Sequence, residues 1–200
     1  MLKIVERVAR FMAVIGGLVL SALVVLTCVS VLGRGLNSLA HSDAVEGMSR
    51  KMRSMKHLAD RLVEAGVGPI NGDFEILEAG VAFAIFAFLP ICQLYGSHAT
   101  VDIFTNALPR KANKLLITFW EIILTVVIVL ITVRLFAGLE SKYAYGDTTF
   151  LLQFPIWWSY ALSFFAACVA SLVGIYCALA RVAEVVTGRR FMPYSEEAVH

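Results

Sequence analysis

Residues 11–32 read FMAVIGGLVLSALVVLTCVSVL, an unbroken run without a charged side chain. A helix needs about 20 residues to cross the hydrocarbon layer of a bilayer. Within lipid each backbone N–H and C=O must find a partner inside the protein, so a single run of this length is read as a helix. Three more apolar runs follow, at about 76–95, 115–133 and 156–179, the first two carrying Glu78 and Glu121 near their starts. The chain is 59% hydrophobic and 16% charged, whereas soluble domains average about 45–50% and about 25%. The excess lies in those four runs. The expected fold is an all-α integral membrane protein, one domain over residues 1–200, with four transmembrane helices.

The connection after the first run carries its own pattern. Asp43 with Glu46 three residues on forms a capping-box signal. Val45, Met48, Met52, Met55, Ala59 and Leu62 then recur at helical spacing, with Arg50, Lys51, Arg53, Lys56, Asp60, Arg61 and Glu64 on the other faces. Gly66, Gly68 and Pro69 end the stretch. An amphipathic helix is expected over about 43–65, either lying in the membrane interface or packed on another protein through its methionines.

Basic residues give an orientation. Lys3, Arg7, Arg10, Arg110, Lys111, Lys114, Arg181, Arg189 and Arg190 flank the runs on one side, and the 134–155 loop has only Arg134 and Lys142. The connection around 34–72 also has bases, mixed there with acids. By the positive-inside rule the short loops place both termini in the cytoplasm. The first run is longer than the 7–15 apolar residues of a signal peptide, so it is expected to remain as an anchor.

Several function classes are disfavoured. The net charge is +2 and no basic, aromatic-interleaved stretch suits a nucleic acid. Cys28, Cys92, Cys168 and Cys177 sit inside the apolar runs without a CxxC pair, and disulfide-forming membrane enzymes need paired cysteines in watery loops. His41, His57, His98 and His200 fall in loops, tails or span edges rather than mid-span, where haem ligands would stand. No clustered Cys and His suit zinc. Span centres lack the ionisable groups and internal repeats of a self-sufficient transporter. No cofactor and no enzymatic activity are expected. A four-helix redox protein and a stand-alone small transporter are the competing readings.

The remaining candidates are structural. Asp73 suits the N-cap of the second helix, and Glu75 in its first turn complements the helix dipole. Glu75 and Glu78 share a face. Arg34 lies on the same side of the membrane as both, so an Arg34–Glu75 or Arg34–Glu78 ion pair is expected to join spans one and two. Pro90 is expected to kink span two. Glu121, beside Trp120 near the start of span three, is read as facing a partner or an interior polar group. Pro155 suits the first turn of span four, and Trp157 and Trp158 suit the lipid interface.

The order of these features resembles the small membrane subunit of tripartite ATP-independent periplasmic (TRAP) transporters, the DctQ-like family. The resemblance rests on Arg34 after span one, FEILEAG opening span two, FAFLPICQLYGSHATVDIFTNALP after it, and GDTTFLLQFPIWWSYAL leading into span four. His98 and Asp102 fall in its His-x-x-Val-Asp element. The chain departs from the pattern in a longer 38–70 connection and in SFFAACVAS where a Pro-Gly break often stands. The resemblance implies a multi-pass protein of the bacterial inner membrane. Its implied partners are a large membrane subunit, which carries substrate and sodium, and a periplasmic substrate-binding protein. An organic acid such as a dicarboxylate is the implied cargo, and Arg34, Asp73, Glu75, Glu78, His98, Asp102, Glu121, Pro155, Trp157 and Trp158 are the candidates for structural or docking roles beside membrane lipid.

Overall fold

The structure is a computed structural model that describes residues 2–40, 71–96 and 110–187. The expected amphipathic helix at 43–65 lies outside the described residues, as do His98 and Asp102. The described residues form four helices: α1 (Leu2–Ala40), α2 (Asp73–Tyr95), α3 (Arg110–Tyr145) and α4 (Trp157–Thr187). All four are long and apolar enough to cross a membrane. Each contains its expected run. Their ends reach further because polar residues at the ends, such as Lys3 and Arg7, also favour helix. At 1.5 Å per residue α1 measures about 58 Å, nearly twice a hydrocarbon layer, so its ends stand in the headgroup region or beyond. Pro90 is buried inside α2, which stays helical to Tyr95 and stops at Gly96 in the left-handed region, φ 62°.

The helices pack in the order α1–α2–α4–α3, with α1 touching α4 only slightly and no comparable packing between α1 and α3. This is an open row, in which the two outer helices each have one main neighbour. The contacts are made by small residues. A Cβ on Gly16 would stand 2.9 Å from the Ala87 Cβ, and one on Gly80 would stand 2.7 Å from Leu23. On α4, Ala166, Ala167, Ala170, Ser171 and Gly174 form the buried stripe. Lipid tails are as apolar as leucine, so membrane helices gain by close backbone approach rather than by hiding large side chains. The large apolar residues point outward instead. Ile4, Phe11, Leu18, Val25 and Leu32 recur every seventh residue on α1 and are 62–67% exposed.

Candidate functional site

At one end of the row the residues after position 71 do four separate jobs. Gly72, at φ 83°, is the residue that caps α2, and its carbonyl accepts the amides of Glu75 and Ile76 at 3.1 and 3.3 Å. Asp73 is therefore the first helical residue and not the N-cap. Its carboxylate is taken by Arg34 of α1, in an ion pair that closes beside the fully buried Ser30. The expected partner of Arg34 was Glu75 or Glu78. Asp73 wins because it stands at the very start of α2, level with the end of the apolar part of α1, whereas Glu75 faces the other way.

Glu75 holds the 146–156 hairpin. Its two carboxylate oxygens accept the amides of Leu151 and Leu152 at 2.7 and 2.9 Å. The hairpin is well defined. Thr149 N–H donates to Phe154 O at 2.9 Å, Ile156 N–H to Asp147 O at 3.0 Å, and Lys142 pairs with Asp147 at 2.8 Å. Gln153 takes a positive φ of 55° and closes the turn by donating its amide to Phe150 O. Leu152 folds back over Gly72, where any Cβ would meet it at 2.5 Å. Glu78, one turn further on, is exposed and lines a cavity beneath the hairpin.

Pro155 comes two residues before α4 rather than in its first turn. It bridges to Thr148, and its carbonyl accepts the Trp158 amide at 3.2 Å. The ring thus aims the chain into the helix without using a helical position. Trp157 packs edge-on against Tyr143 at 5.5 Å, and Trp158 is 57% exposed. One of the two tryptophans docks α3 to α4, and the other faces outward.

The opposite end has a second clasp. Tyr95 of α2 donates its hydroxyl to Glu6 of α1 at 2.9 Å, and Glu6 also pairs with Arg10. Arg34–Asp73 and Glu6–Tyr95 therefore join α1 and α2 near both ends, with the Gly16–Ala87 approach between them.

Inside, the structure shows polar contacts that span hydropathy hides. The stripe of α3 facing its neighbours reads Thr118, Glu121, Thr125, Ile128, Thr132, all at most 8% exposed. Gln93 of α2, fully buried, donates to Thr125 at 3.0 Å, and Thr125 donates to the Gly174 carbonyl at 3.2 Å. Gly174 leaves the room for this, because a Cβ would stand 2.8 Å from the Gln93 side-chain oxygen and force the amide to shift. Thr132 meets Ser171 at 2.8 Å. Glu121 lies inside, beside Gln93 and within the field of Arg181, which is paired to Glu184. It faces an interior polar group, the second of the two expectations for it. Sequence reasoning passed over Gln93, Thr125, Thr132 and Ser171. The available signal was the seven-residue spacing of Thr118, Thr125 and Thr132 in an otherwise aliphatic run.

Among the described residues no group of three His, Cys, Asp or Glu side chains is placed to hold a metal ion. Cys28 is exposed on α1, Cys177 is buried in the core, and Cys92 and Cys168 are intermediate. The arrangement joins helices and orders one hairpin, while Ser30 Oγ, Gln93 Oε1 and Glu121 Oε1 stay buried without a hydrogen-bond partner.

Comparison with curated proteins and with solved structures gives no match. Residues 63–185 match the family described as "Tripartite ATP-independent periplasmic transporters, DctQ component". That stretch takes in the Glu75 clasp, the hairpin, both tryptophans and the Gln93–Thr125–Gly174 contact, and on this match the chain belongs to the DctQ family, the small membrane component of TRAP transporters.

Proposed function

We propose that this chain is a non-catalytic scaffold: it enlarges the static part of the transporter against which a large membrane subunit moves during sodium-coupled uptake of an organic acid such as a dicarboxylate. Substrate and sodium belong to the large subunit, and a periplasmic binding protein delivers the cargo. The observation that carries this reading is the open row of helices. A passage across the membrane must be enclosed by protein, and four helices in the order α1–α2–α4–α3 enclose none. The row instead offers long apolar flanks on α1 and α3, suited to lipid or to another membrane protein. Both termini are placed in the cytoplasm by the basic loops, so the hairpin and the Arg34–Asp73 pair face the periplasm.

The test is mild-detergent purification of the tagged chain from its native host, with mass spectrometry of what accompanies it, followed by flux assays in liposomes. A stoichiometric many-span partner, with solute flux only when both proteins are present, supports the scaffold. A homo-oligomer that moves solute alone overturns it.

A further inference from the structure

Under the hairpin lies a cavity of about 450 Å³ bounded by α2, α3, α4 and the hairpin itself. Its walls include Phe86, Phe154 and Tyr160, and two carboxylates reach it: Glu75, already held by the Leu151 and Leu152 amides, and Glu78, which is not. Among the described residues no lysine or arginine lines it. Ser163 of α4 also lines it, is 3% exposed, and its Oγ has no hydrogen-bond partner. Ser30 Oγ, between α1 and α2, is also buried without a partner, whereas several other helical hydroxyls are met within their own helix. Ser21, Thr27, Thr118 and Thr132 all return their hydroxyls to the carbonyl one turn back. A buried hydroxyl left unmet costs stability unless something in the cavity meets it.

We propose that this cavity binds the primary ammonium headgroup of a phospholipid of the ethanolamine type. A carboxylate without a neighbouring cation, set among aromatic faces, selects an organic ammonium through charge and cation–π attraction. The Ser163 hydroxyl supplies a further acceptor. Phospholipid is the source because the cavity lies in the same end of the row as Trp157 and Trp158, the level at which headgroups sit, and because much of its lining is apolar.

The test uses the purified intact assembly, delipidated and returned to mixed micelles containing either phosphatidylethanolamine or phosphatidylglycerol, with retained lipid read by native mass spectrometry. Phosphatidylethanolamine is expected to stay bound and phosphatidylglycerol to wash off. Glu78→Gln and Ser163→Ala should each weaken retention about tenfold, the loss of roughly one good polar contact. Glu140→Gln, an exposed carboxylate on α3 outside the cavity, should leave it unchanged. Glu78 is exposed, so its variant folds even if Ser163→Ala does not. A second arm titrates free ethanolamine in the absence of phosphatidylethanolamine. Absence of saturable binding there supports the lipid, whereas tight binding of the free amine overturns it as the source. Equal retention of both phospholipids, or retention unaffected by Glu78→Gln, overturns the site.

Discussion

Arg34 and Asp73 are adjacent only because α1 and α2 run antiparallel with their apolar parts in register. The pair is partly open to water, Arg34 more than Asp73, and exposed pairs contribute little to stability by themselves. Its value is in fixing depth and register. Reversing either charge, Arg34→Asp or Asp73→Arg, should lower the amount of assembled complex, and the double reversal should restore it; blue-native gels of membrane extracts read this directly. Glu75 is different, since its partners are backbone amides that no compensating substitution can supply. Glu75→Gln leaves one oxygen where there were two and removes the charge. Amide exchange at Leu151 and Leu152 should then accelerate by about tenfold or more, while amides in the middle of α4 stay protected. Uniform acceleration along α4 would mean that Glu75 holds the whole helix rather than the hairpin. Asp73 and Glu75 were legible as residues that tie elements together; Glu78, expected beside them, makes no such tie. Which acid met which partner was not, because a difference of two residues on a helix turns a side chain by more than half a circle.

At the scale of helices, the contacts are set by where side chains are missing. Gly16→Ala places a methyl 2.9 Å from the Ala87 Cβ, and neither group can rotate away. Gly174→Ala drives into Gln93 and breaks its bond to Thr125. Overpacking of this kind costs about 1–3 kcal/mol. Gly35→Ala meets nothing within 4 Å and should gain about 0.5–1 kcal/mol from helix propensity. Thermal unfolding in detergent should therefore rank Gly35→Ala above the parent and the other two below it; equal midpoints for all three would deny that close approach holds the row together. The existence and order of the four helices were legible from hydropathy alone. The pairing was not. Glycine and alanine in an apolar run look the same to a hydropathy scale whether they face lipid or a neighbour.

For the whole molecule, orientation is a property that geometry leaves open and for which the proposal rests on the distribution of Lys and Arg. The row of helices is the same either way up, while the distribution of Lys and Arg is not. Phe150 is 87% exposed at the tip of the hairpin, so Phe150→Cys in intact cells should react with a membrane-impermeant maleimide. Labelling only after the cells are opened would invert the topology. The exposed hairpin tip and the apolar flanks of α1 and α3 are the surfaces on which the proposed partners are to be sought.

The sequence by itself determined that this chain holds four segments fit to cross a membrane and where the apolar part of each lies, because a bilayer imposes one length and one composition on any segment that spans it. The tertiary structure alone decided the α1–α2–α4–α3 row, the Arg34–Asp73 partnership, the hold of Glu75 on the hairpin and the Gln93–Thr125–Gly174 contact. Those depend on which faces of the helices meet. In lipid that choice is made by the fit of small residues and a few hydrogen bonds, terms too local to be read from a pattern of apolar and polar letters.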